Sequence, residues 1–158
     1  MKKGKCFLVG AGPGDPGLLT LRGSEVLGRA EVVVYDNLAN PELLGFAPET
    51  AELLYAGKKP DDHSMTQEEI NRLLVEKTAA GRLVVRLKGG DPYVFGRGAE
   101  EAGALAAAGL DFELVPGISS ALAGPAAAGI AVTRRGVNED LNIFTGHQDP
   151  ESKEGREF

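Results

Sequence analysis

Short apolar runs alternate with segments of helical periodicity along most of this chain. Strand-like runs fall at Lys5–Val9, Glu31–Tyr35, Glu52–Tyr55, Leu83–Leu87, Asp111–Val115 and Leu141–Thr145. Most are nearly continuous in apolar and β-branched residues, the pattern of strands buried on both faces. Helical segments separate most of them. Over Thr66–Ala80, Thr66 and Glu69 stand at capping-box spacing. Ile70, Leu73, Leu74 and Lys77 follow at helical intervals, and Gly81 ends the segment. Two further helices are predicted over Thr20–Arg29 and Ala99–Ala108, the second stopped by Gly109. The pattern predicts an α/β fold, a mostly parallel sheet with helices on both faces.

The character changes after Val115. Residues Val115 to Thr133 are rich in small side chains and run into Arg134-Arg135. One strand-like run follows, and then a polar stretch from Gln148 to Glu154. A single strand cannot build a core. The expected organisation is therefore a first α/β domain over residues 1–115. An interdomain helix and the first part of an incomplete second α/β domain occupy 116–158.

Charge and composition narrow the function. The 158 residues carry a net charge of −6, which argues against nucleic acid as the main partner. No apolar run is long enough for a membrane span, and no signal core follows the basic start, so a cytoplasmic protein is expected. The single cysteine, Cys6, lies in a strand-like run and reads as a buried core thiol. No metal site is read. The 22 glycines cluster at strand ends, where tight turns and close backbone approach require them.

Two glycine-rich loops follow apolar strands, Val9–Gly23 and Arg86–Gly98. Paired loops of this kind predict a backbone-lined cleft at the strand ends. The first loop invites comparison with a dinucleotide fingerprint. That fingerprint needs glycine where Asp15 stands, and Pro13 removes a donor that a pyrophosphate would use. Asp36, ending the second strand, is the one feature that keeps the dinucleotide reading open. In the second loop, Gly89 and Gly90 admit close backbone approach and Asp91 offers a carboxylate. Tyr93, Val94 and Phe95 supply an apolar wall, with Arg97 beside it. This inventory suits a ligand that is part amine, part nucleoside and part apolar.

These motifs resemble those of the uroporphyrinogen-III C-methyltransferases, of the tetrapyrrole methylase superfamily. The matching stretches are Val9–Gly23, Val33–Leu38, Gly57-Lys58, His63 with Gln67–Asn71, Arg86–Glu101, Val115–Ala121 and Thr145-Gly146-His147. They cover nearly the whole chain in order. The resemblance implies S-adenosylmethionine-dependent methylation of two pyrrole carbons of uroporphyrinogen III. The product, precorrin-2, feeds sirohaem and cobalamin synthesis. It also implies a cofactor cleft between two α/β domains and a homodimer. By position, Pro13, Gly89, Gly90, Asp91, Val94, Ser119 and Ser120 are implied to contact the cofactor. Asp36 matches the family's proposed proton acceptor and Lys58 its proposed donor.

The residues by themselves leave alternatives. Asp36 also reads as a turn acid, Lys58 as half of a solvated pair with Lys59, and His63 as a polar loop residue or part of the substrate site. A substrate with eight carboxylates needs local cations. Arg22, Lys58, Lys59, Arg97, Arg134 and Arg135 lie in or beside the motifs, and arginine forks suit carboxylates. Arg22, His63 and Arg97 are the expected substrate contacts. Members of the family are longer, so the chain is expected to be a fragment with weak or no activity alone. The competing readings are a methylase of a later precorrin and a catalytically silent binding or assembly module.

Overall fold

The structure is a computed structural model that describes residues 4–57 and 65–146. Five parallel strands form one sheet: β1 (Lys5–Gly10), β2 (Val32–Tyr35), β3 (Glu52–Tyr55), β4 (Leu83–Lys88) and β5 (Asp111–Val115). Their spatial order is β3-β2-β4-β1-β5. Helices α1 (Leu21–Leu27), α2 (Gln67–Ala79) and α3 (Gly98–Ala107) connect them, and α4 (Ser120–Ala127) follows β5.

Alternation along each strand divides the core in two. Phe7, Val9, Val33, Val85 and Leu87 face Val26 and Leu27 of α1 and Leu43 of the 3-10 turn Pro41–Phe46. Cys6, Leu8, Val32, Val34 and Val84 face Ile70 and Leu74 of α2 and Ala102 and Leu105 of α3. Both faces are therefore covered, as a parallel sheet requires. Cys6 is fully buried, and burial pushes its thiol up to about 12, so it is an inert core group.

The helix caps were written in the sequence. Thr66 Oγ1 accepts from Glu69 N at 3.2 Å, and Thr66 N donates to Glu69 Oε2 at 2.7 Å, closing the capping box of α2. Thr20 caps α1 through Gly23 N at 3.0 Å.

One expected element is absent. Residues 141–145 are not a strand and pair with none of the five. An apolar run becomes a strand only against a hydrogen-bonding neighbour, and no described strand offers one there. Ile143, Phe144 and Thr145 instead line the cleft described next.

Candidate functional site

β1 and β4 are adjacent, yet β1 leads to α1 on one face of the sheet and β4 to α3 on the other. Loops that diverge from neighbouring parallel strands leave a crevice at the carboxyl ends. The crevice here is about 630 Å³, within the range of small-ligand sites.

Its floor is backbone packed on backbone. Gly12 and Gly90 form an antiparallel bridge, with Gly90 N donating to Gly12 O at 2.7 Å and Gly12 N to Gly90 O at 3.2 Å. A Cβ on Gly10 would lie 2.5 Å from Gly117 Cα and 2.7 Å from Gly90 O. No side chain fits where these three segments meet, so the glycines are a packing requirement.

The structure brings Pro13, Gly89, Gly90, Asp91, Val94, Ser119 and Ser120 to this one cleft, joined by Leu38 and Phe95. Asp91 ties the walls together. Its Oδ1 accepts from Tyr93 N at 2.8 Å and its Oδ2 from Gly117 N at 3.0 Å. Replacing Asp91 with Ala leaves both N–H groups without that acceptor. The expected loss is about 1–3 kcal/mol, read from the urea midpoint; an unchanged midpoint would show the ties to be dispensable. Ser119 caps α4, its Oγ accepting from Ala121 N at 3.3 Å.

The acid that spoils the dinucleotide fingerprint has a local task. Asp15 Oδ1 accepts from Gly17 N at 2.8 Å and caps the 3-10 turn Pro16–Leu18. The first loop is thereby a capped turn rather than a phosphate cradle.

Asp36 stands at the end of β2, beside the cleft residue Leu38. Its Oδ1 accepts from Leu38 N at 3.0 Å and its Oδ2 from Arg86 Nη2 at 2.8 Å. Arg86 belongs to a buried charged group that sequence reasoning missed. Arg86 Nε donates to Glu101 Oε1 at 3.0 Å, and Lys88 Nζ donates to the same oxygen at 2.9 Å. Glu101 is fully buried and Arg86 is 3% exposed. Burial and the nearby Arg86 charge push the Lys88 ammonium below its ordinary value, while Glu101 opposes both. The available signal was Arg86 and Lys88 at i and i+2 on one face of an otherwise apolar central strand.

The expected substrate cations are placed differently. Arg22 does not reach the cleft: Nη2 donates to Glu113 at 2.9 Å and Nη1 to Glu25 at 3.0 Å. Glu113 is on the edge strand β5, opposite Phe7 in the middle of β1. Arg97 lies beside the cleft loop, but its guanidinium forks onto Glu100 at 2.7 and 2.8 Å and holds that carboxyl below its usual range. Lys58, Lys59 and His63 lie outside the described residues. Arg134 and Arg135 are exposed in the segment after α4.

Comparison with known proteins places the chain in a family and agrees with its fold. Residues 5–158 match the family described as tetrapyrrole (corrin/porphyrin) methylases. A uroporphyrinogen-III C-methyltransferase of Methanocaldococcus jannaschii is 54% identical over 151 residues, covering 96% of this chain and 62% of the relative. A Bacillus subtilis protein of the same name is 52% identical, covering 94% of this chain and 58% of its own length. A crystal structure of a Thermus thermophilus uroporphyrin-III C-methyltransferase, described as complexed with S-adenyl homocysteine, superposes with a TM-score of 0.73. It is 48% identical, over 87% of this chain and 57% of that one. The chain thus spans about three-fifths of the length of these relatives.

Proposed function

This chain belongs to the tetrapyrrole (corrin/porphyrin) methylase family, and from that premise we propose that its cleft binds S-adenosylmethionine for the C-methylation of uroporphyrinogen III. The methylation falls on two pyrrole carbons and gives precorrin-2, for sirohaem or cobalamin synthesis. The observation that carries the reading is the cleft lining. Gly12, Gly89, Gly90 and Gly96 offer bare backbone, Ser119 and Ser120 hydroxyls, and Leu38 and Val94 apolar surface. A Cβ on Gly90 would meet only Ser119 Cα, at an ordinary 3.8 Å, so no backbone fills the cleft at this point. A ligand joining an amino acid to a nucleoside matches that mixture.

The bound cofactor supplies a methyl group already activated on a sulfonium. The chain's task is then to hold and orient two reactants. Pro13, Gly89, Gly90, Asp91, Val94, Ser119 and Ser120 would hold the cofactor. Asp36 would accept the proton, its carboxylate oriented by Arg86 and by the Leu38 N–H. Lys58 would donate one. Arg97 would meet substrate carboxylates by exchanging its Glu100 partner, and His63 would join it. Residues beyond Val115 would begin the second wall of the site.

The reading includes a homodimer in a reducing cytoplasm. Among the described residues no helix is long and apolar enough to cross a membrane. Sedimentation equilibrium checks the dimer.

The test is calorimetric titration of the purified chain with S-adenosylhomocysteine. Saturable one-site binding is expected. A folded chain that takes up none would overturn the assignment of the cleft.

A further inference from the structure

We propose that Phe95 is a substrate-recognition residue, its ring forming a platform for a pyrrole ring of the tetrapyrrole at the mouth of the cleft. The inference rests on the functional reading above and adds to it a site for the second reactant.

The backbone around Phe95 is unusual. Phe95 has φ 52° and Arg97 φ 57°, the two left-handed non-glycine residues among those described. A bulky residue in that region is strained. Glycines stand elsewhere in the same loop. A Cβ on Gly96 would lie 2.8 Å from Pro92 O, and a Cβ on Gly98 would lie 2.9 Å from Pro92 C. The loop therefore uses glycine where a side chain has no room, and Phe where the torsion favours glycine. Strain held at one position of a cleft loop points to a task for that side chain.

Among the described residues the ring is not part of the core. Phe95 is 60% exposed and belongs to neither core cluster. It nevertheless lines the cleft, with Phe144, 66% exposed, as a second aromatic lining residue. Residues that line a cleft while mostly exposed stand at its mouth. Within the described residues the cleft is about 630 Å³, a size that suits the cofactor and leaves the macrocycle to the mouth. A macrocycle lying across the mouth would bring pyrrole faces to these aromatic faces in offset or edge-on contact. Arg97, two residues on and paired with Glu100, is the cation in this loop nearest in sequence to the ring.

The experiment uses the whole chain and three readouts: thermal midpoint, calorimetric S-adenosylhomocysteine binding, and fluorescence titration with uroporphyrin III, the oxidised and fluorescent form of the substrate. In Phe95→Gly the strain is relieved and the ring removed. The midpoint should hold or rise by up to about 4 °C, and S-adenosylhomocysteine affinity should stay within about twofold. Uroporphyrin affinity should fall about tenfold, and Phe95→Tyr should retain it. Unchanged uroporphyrin affinity in Phe95→Gly would overturn the inference. So would an equal loss of both ligands, or a lowered midpoint with conversion of an oligomer to monomer, which would make the ring a packing or docking group. A wild-type chain that binds S-adenosylhomocysteine but no uroporphyrin would remove the platform and leave the cofactor assignment standing. Binding of neither would remove both.

Discussion

Replacing Glu101 with Ala is expected to cost about 3–5 kcal/mol of folding stability, the usual consequence of stranding buried charges. One oxygen, Oε1, accepts from Arg86 Nε at 3.0 Å and Lys88 Nζ at 2.9 Å, with Gln67 Nε2 at 3.4 Å. Arg86 would retain Asp36 at 2.8 Å and Leu87 O at 3.2 Å. Lys88 would lose the one carboxylate within ion-pair distance of it among the described residues. Against a typical total of about 5–15 kcal/mol, that loss threatens the fold.

The geometry also ranks the substitutions. Glu101 Oε2 has no hydrogen-bond partner among the described residues, so the carboxylate carries a desolvation cost of its own. Glu101→Gln keeps a carbonyl oxygen for the donors and should lose less than Glu101→Ala. Adding Lys88→Met to Glu101→Ala removes the stranded ammonium and should recover roughly half of the loss, a coupling that a double-mutant cycle isolates. The measurement is urea denaturation followed by circular dichroism. A Glu101→Ala loss below about 1 kcal/mol, the worth of an exposed pair, would mean that the cluster is solvated.

What the sequence made legible follows from the range of each signal. The five strands and the capping box of α2 are local patterns, and they appear within a residue or so of expectation. Gly89 and Gly90 lie at a cleft that the paired strand-end loops of a parallel sheet predict, whereas Ser119 was placed there only by the family resemblance. The Glu101 cluster joins a strand to a helix across 15 residues of sequence and brings in Asp36 from the loop after β2. No spacing rule encodes that meeting. The run at Leu141–Thr145 failed for a related reason, since alternation specifies a face and never a partner. Arg22 was grouped with the motif cations by its place in the sequence, but α1 carries it away from the strand ends to Glu113. Phe95 takes a left-handed torsion that a phenylalanine disfavours, and the sequence gives no local warning of it.

Gly90→Arg should abolish ligand binding while leaving the fold nearly intact. Gly89, Gly10 and Gly90 differ in what a side chain would meet. A Cβ on Gly89 would lie 2.6 Å from Leu38 Cβ and 2.9 Å from Leu38 O, so the loop after β2 would have to move. A Cβ on Gly10 would strike the backbone of Gly117 at 2.5 Å. Substitution at either site would confuse lost binding with a deformed cleft. Gly90 is different, because its nearest obstacle is Ser119 Cα at 3.8 Å, an ordinary contact. Its φ of +64° adds a conformational cost of about 1–2 kcal/mol for any side chain. Its bridge to Gly12 uses only backbone atoms and survives the change. A side chain there would start beside Ser119, which lines the same cleft. S-adenosylhomocysteine affinity should then fall by at least about a hundredfold, roughly 2.8 kcal/mol, with the urea midpoint lowered only by the torsional cost. Retained affinity in a folded Gly90→Arg chain would place the ligand outside this cleft and take the functional assignment with it.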